Sequence, residues 1–266
     1  MRPRASGFSG GLRIGADFFA RHGWQREGAP RGAVDCIDDL AHARVDVTKI
    51  DPRVVAFFED TAGLELHIRS RWVFPASILW RALFFVVRAM GQLVYPRDEG
   101  RVTTRAFAVD READGRADAR VIVRTYANGD VMQAVSYATW ERDGTRLMSA
   151  AFPLLFGRLM GLLRLDPLGD GGAVLTSTRH EDDDAGVWFV LGSLAIPMPF
   201  GERLELWPPG QRGAPNEPPP AGAENATILG RHEQRLFGIR VVTHYYWFWP
   251  IESCASTENV NDTFGT

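Results

Sequence analysis

Along much of this chain apolar and polar residues alternate with a period of two. Leu64, Leu66 and Ile68 are separated by Glu65, His67 and Arg69, the pattern of a strand with one face buried and the other in water. From residue 101 onward, runs of this texture are divided by short turn signals. Residues 102–109 precede Asp114-Gly115, 121–126 precede Asn128-Gly129, 131–140 precede Asp143-Gly144, and runs at 147–152 and 159–165 follow. Asp-Gly and Asn-Gly adopt the left-handed backbone of tight hairpins, so these runs predict an antiparallel meander. Further strands are predicted at 173–179, 187–191, 202–207, 227–237 and 239–249, with the Pro- and Gly-loaded stretch 208–223 as an exposed loop. About nine or ten strands with short turns exceed one flat sheet, so the expected fold is mainly β, a meander closed or strongly curled into a barrel.

Two stretches break the alternation. Asp51-Pro52 opens a short helix, with Asp51 as N-cap, Pro at the first position and Val54, Val55, Phe57 and Phe58 as its apolar content. Residues 76–95 are the most apolar in the chain, and their length is that of a membrane span. Arg81 and Arg88 interrupt them seven residues apart, on one helical face, which predicts an amphipathic helix instead. That helix either packs on a sheet with its arginines in water, or lies in a membrane interface or lids a lipid cavity. The expected organisation is a loosely ordered leader over 1–44, a barrel-like domain over 45–250 containing helix 76–95, and a flexible tail over 251–266.

Composition narrows the chemistry. The chain has 266 residues, 45% hydrophobic and 24% charged, with a net charge of −3, so no basic footprint points to nucleic acid. Among thirty basic residues only Lys49 is lysine, which leaves no Gly-Lys-Ser/Thr phosphate loop and little room for Schiff-base chemistry. Cys36 and Cys254 are far apart and read as free thiols. No apolar run of signal-peptide length follows the basic N-terminus, so cytoplasmic residence is expected, with membrane association through 76–95 as the alternative. His232-Glu233 lacks the second His of a zinc helix, and His180 with Glu181 to Asp184 lacks the spacing of a calcium loop. No metal or cofactor is expected.

Several stretches carry a resemblance. Residues 55–62 running on to Arg71-Trp72 are one, with Ser136-Tyr137-Ala138-Thr139 and Ala151-Phe152-Pro153-Leu154. His232, Leu236-Phe237-Gly238 and His244-Tyr245-Tyr246 are the others. Together they resemble a family of uncharacterised bacterial proteins, which implies a β-rich single-domain fold, lipocalin-like at the level of architecture, and no mechanism.

The functional expectation follows from a barrel. Residues 243–249 are the densest aromatic stretch, with His244 and Tyr246 on one face and Tyr245 and Trp247 on the other. The reading is a barrel that binds a hydrophobic small molecule of lipid, polyketide or terpenoid type, with Tyr137, Trp140, Trp188, Trp207, Tyr245 and Trp247 as candidate ligand contacts. The alternative is a cofactor-independent isomerase or cyclase in the same cavity, with His244 and Tyr246 as the catalytic pair. On β-alternation Arg124 and Tyr126 share a face opposite Val121 and Val123, which suits solvent unless that apolar face packs outside.

Overall fold

A computed structural model describes residues 11, 13–28, 30–41, 45–91, 99–142, 144–179 and 184–251. In chain order the elements are helix α1 (Phe18–Arg21), β1 (Gln25–Arg26), α2 (Pro52–Glu59), β2 (Leu64–Trp72), α3 (Ala76–Ala89), β3 (Glu99–Val109) and a single turn α4 (Arg111–Asp114). Strands β4 (Arg120–Tyr126), β5 (Val131–Arg142), β6 (Thr145–Pro153), β7 (Arg158–Pro167), β8 (Ala173–Thr176), β9 (Gly186–Leu191) and β10 (Leu194–Pro197) follow. The chain then adds β11 (Phe200–Trp207), β12 (Ile228–Leu236) and β13 (Ile239–Pro250).

Ten strands close a ring. Neighbours run β7-β6-β5-β4-β3-β2-β13-β12-β11-β8, and β8 returns to β7 through Arg164 opposite Thr176 and Pro167 opposite Ala173, all antiparallel. The mainly β, barrel-forming architecture expected from the alternation is therefore the one observed. Strands β9 and β10 flare off the upper half of β7, and β1 adds a short edge to β3.

Eight strands are about the number that side chains alone can fill, and ten enclose more space. Here the extra space at one end is taken by α2. Asp51 caps this helix by accepting from the Arg53 N–H at 2.9 Å, Pro52 starts it, and Val54, Phe57 and Phe58 are buried. They join Ala33, Val34, Ile37 and Leu40 with lumenal residues such as Leu66, Ile68, Ile122 and Phe248 in one core. Phe57 meets Phe248 edge to face, 5.2 Å between ring centres. This end, where Leu64 pairs with Pro250, is the closed one.

The segment read as a leader contributes a second core on the barrel's outside. Ile14, Phe18 and Phe19 are fully buried against Phe107, Val121, Val123 and Ala134. Both faces of β4 and β5 are thus covered, one by the lumen and one by α1. A third cluster, Leu147, Met160, Leu162, Trp188 and Val190, lies outside beneath β9.

The other end carries α3. Trp80 stacks on Trp72 at the end of β2, with ring centres 4.8 Å apart. At the far end of the helix, Met90 accepts from the Ile14 N–H at 2.7 Å and Arg88 reaches Asp130 of the β4–β5 turn at 3.4 Å. The helix therefore runs along the rim, from β2 to the β4–β5 turn. Its last predicted turn falls in 92–98, outside the described residues. No residue of α3 is buried, which departs from the expectation of a helix packed on a sheet. Trp80, Phe84 and Val87 form a half-buried inner stripe, while Ile78, Leu79, Phe85 and Val86 face away from the protein.

Candidate functional site

The lumen is largely filled, and above the α2 plug it holds a cavity of about 70 Å³. Ligand pockets run to roughly 300–1,000 Å³, so this space admits a group of only a few atoms. Its apolar walls come from Phe57, Ile122, Met148, Leu163, Leu175 and Phe248, and seven polar side chains line it: Thr61, Arg124, Gln133, Tyr137, Glu202, His232 and Tyr246.

Strand register explains the convergence. On β11, Glu202, Leu204 and Leu206 point inward, and Glu202 pairs with Gln234 while Leu204 pairs with His232. His232 in turn sits opposite His244 on β13. The Glu202 carboxylate lies beside Gly161 of β7, where a Cβ would come within 2.9 Å of it. Gly230 makes room for the Tyr246 ring in the same way, since a Cβ there would meet the ring at 3.0 Å. His232 bridges two partners, Nδ1 to the Tyr246 hydroxyl at 3.1 Å and Nε2 to Glu202 Oε2 at 3.3 Å. Both contacts are satisfied when Nε2–H donates to the carboxylate and the phenol donates to Nδ1. A carboxylate, imidazole and phenol in line form a path along which a proton can be held or moved.

Arg124 faces this chain from β4, between Thr104 of β3 and Gln133 of β5. It is 8% exposed, and its Nε has no hydrogen-bond partner. Its guanidinium lies 5.9 Å from the centre of the Phe57 ring. A buried unpaired charge costs several kcal/mol, and a ring at that distance offsets about 0.5–2 kcal/mol of it. Burial raises the Tyr137 hydroxyl above its ordinary pKa; Arg124 lowers it and Glu202 raises it further.

His244 is fully buried, and its Nδ1 lies 2.7 Å from Ser70 Oγ. Burial, with His232 beside it, holds its imidazole well below the ordinary histidine range. Its ring centre is 6.2 Å from that of Tyr246, and the Tyr246 hydroxyl is engaged by His232. Of the residues singled out from the sequence, Tyr137 and Tyr246 line the cavity and His244 lies on their face of the sheet above it. The other five aromatics lie on the barrel's outer side. Trp140 and Trp188 belong to the cluster beneath β9. Arg231 covers Trp207 and Arg69 covers Trp247, at 5.5 and 5.3 Å from the ring centres. Tyr245 alternates with His244 and Tyr246 and so shares the outer face with Trp247.

Arg124 and Glu202 carry the site, and the sequence reading singled out neither of them as lumenal. Val121 and Val123 look like the core face of β4, but α1 covers them from outside, so Arg124 turns into the lumen. Glu202 had a usable signal: it shares a face with Leu204 and Leu206, an acid on an apolar stripe.

A second buried polar cluster lies outside the barrel. Asp114 accepts from Arg116 Nε at 2.6 Å and from the Ser136 hydroxyl at 2.6 Å, while Arg116 Nη1 donates to the Ser149 hydroxyl at 2.8 Å. Burial pushes the Asp114 carboxyl up, but Arg116, Ser136 and Arg158 together outweigh it and the net direction is down. Burial, with Arg116 nearby, brings Arg158 down to about 10. This network pins the loop after α4 to β5 and β6.

Among the described residues no group of three or more His, Cys, Asp or Glu could hold a metal ion, and no helix is long and apolar enough to cross a membrane. The His180 to Asp183 cluster lies outside the described residues. No family model and no solved structure matches the chain. It is similar to a protein of Bacillus subtilis (strain 168) named "Uncharacterized membrane protein YndJ", 23% identical over 244 residues. The match covers 89% of this chain and 41% of the relative, so the chain spans about two fifths of that protein's length.

Proposed function

We propose that this chain is a barrel that works at a membrane surface and takes the polar end of a hydrophobic small molecule into its lumen. One observation carries the reading. Apart from Ile251, every large apolar side chain exposed among the described residues comes from segments at the end of the barrel that carries α3. They are Val73 and Phe74, Leu83 and the outer stripe of α3, Phe156 in the β6–β7 turn, Leu191 to Met198 around β10, and Leu236 to Ile239 in the β12–β13 turn. Phe74, Phe85, Phe156 and Phe237 are 76, 75, 72 and 75% exposed. A monomer in water rarely gathers so many large apolar groups at one place.

The occupant that fits this rim is a lipid headgroup region. The apolar groups come from a helix and several hairpin tips around one end, a ring of separate projections that suits a fluid plane better than one bound helix. Arg81 and Arg88 flank the exposed stripe of α3, and Arg235 and Arg240 flank the Phe237-Gly238 tip, sharing Glu233 at 3.0 and 3.7 Å. Basic residues beside inserted aromatics favour an anionic surface. The membrane-protein name of the Bacillus relative supports the same placement. The cavity lies inside the lumen above the α2 plug, with Phe57 and Phe248 in its wall, and its polar wall suits a head group, with the tail directed toward the apolar rim.

Liposome flotation tests this. The chain should float with vesicles containing phosphatidylserine, and the Phe85→Glu, Phe237→Glu double variant should stay at the bottom with an unchanged melting temperature, because both side chains are exposed. Equal flotation of the two proteins, or none by the parent chain, contradicts the reading.

A further inference from the structure

We infer that Arg124 is the anchor for the ligand's head and that this head is a carboxylate. The inference rests on the lumenal reading above and names the ligand class of that site. Arg124 is more than nine-tenths buried, lines the cavity, and has no ion pair or hydrogen bond from its guanidinium among the described residues. Three other buried or half-buried arginines on the barrel have a carboxylate partner, Arg116 in Asp114, Arg120 in Asp35 and Arg164 in Asp166, each at 2.6 to 2.8 Å, and the fully buried Arg158 lies in the field of Asp114. An arginine stays charged at any pH a protein meets, so it cannot answer burial by losing its proton. Its phenylalanine neighbour tolerates a cation without supplying an anion.

The size and lining of the cavity choose among anions. A guanidinium presents parallel N–H donors that fit the two oxygens of a carboxylate. About 70 Å³ admits such a group with its first carbons. Glu202 lines the same space, and beside an acidic side chain a dianionic phosphate is disfavoured more than a monoanion. Gln133, beside Arg124, and Tyr137 offer further donors to a carboxylate oxygen.

Isothermal titration with sodium octanoate and with 1-octanol separates charge from chain. The parent protein should bind octanoate at least about tenfold more tightly than octanol, as a charge-assisted pair replaces a neutral contact. Arg124→Gln should abolish that preference, and its melting temperature should hold or rise, because an unmatched buried charge has been removed. Inorganic phosphate in excess should not displace octanoate. Equal binding of octanoate and octanol by the parent overturns the carboxylate assignment while leaving the lumenal reading intact. Displacement by phosphate overturns it too, as does unchanged octanoate affinity in Arg124→Gln. Binding of neither probe overturns the lumenal reading and this inference with it. The comparison within the parent protein stands even if the variant fails to fold.

Discussion

At the scale of single residues, the lumen places ionisable groups where water normally keeps them from going. His244 is the plainest case. Buried beside Ser70 and His232, it stays neutral in the folded chain, whereas the unfolded chain takes up a proton near pH 6.5. Its contribution to stability is therefore complete above that pH and is lost as pH falls below it. The loss reaches at most about 1.4 kcal/mol per pH unit, while only the unfolded chain is protonated. Chemical denaturation between pH 7.5 and 5 should show this slope, and His244→Gln should flatten it. His67 is half-buried and shifted the same way by burial, so part of the slope should survive. A variant with the slope of the parent would mean that His244 is not held neutral. Arg124 teaches a related lesson about legibility. Alternation divides β4 correctly into two faces but cannot say which is lumenal, because α1 buries the other. The same ambiguity put Trp207 and Trp247 among the ligand candidates: large aromatics mark a buried face, and on this barrel loops and arginines bury the outer one.

At the scale of elements, most of the strands were legible because period-two runs and Asn-Gly or Asp-Gly turns are local signals. Residues 131–140 read as a strand where β5 runs Val131–Arg142, and 202–207 where β11 runs Phe200–Trp207. The short β10 was missed; it holds one buried residue, Ala195, and gives no pattern. Helix α2 was legible from its Asp-Pro start, but its role as a plug was not, since that depends on ring closure between β7 and β8, far apart from it in sequence. The plug is tightly seated. The Phe58 carbonyl accepts from the N–H groups of Ala33 and Val34, at 2.7 and 3.2 Å. A Cβ on Gly32 would fall 2.1 Å from that same oxygen. Gly32→Ala must therefore move backbone, and we expect a loss of about 2 kcal/mol or more in urea denaturation. A loss within experimental error would mean that residues 31–34 do not hold α2 in place. Helix α3 inverts the usual relation of pattern to packing. Its amphipathic sequence was read correctly as helical, yet its outer apolar stripe meets no protein among the described residues.

At the scale of the whole molecule, the barrel is polarised. One end is sealed by α2 and residues 33–40 with buried phenylalanines; the other presents exposed phenylalanines on α3 and hairpin tips. The cavity lies between them with its single carboxylate, its histidine and its unmatched arginine. The resemblance read from the sequence implied a β-rich fold, and the closed ten-strand ring agrees with it. What no local pattern conveyed is the segregation of exposed apolar groups to one end, because Phe74, Phe156 and Phe237 are distant in sequence and reach the same end only through closure.

On the proposed function this end, and not the other, meets the membrane. With Cys36 and Cys254 replaced by Ser, an environment-sensitive fluorophore can be attached to a single cysteine introduced at Phe237, at Phe156 or, at the sealed end, at Ile251. Addition of phosphatidylserine vesicles should shift the emission of the first two labels to the blue and leave the label at Ile251 unchanged. Equal shifts at all three positions, or a shift at Ile251 alone, would contradict the account.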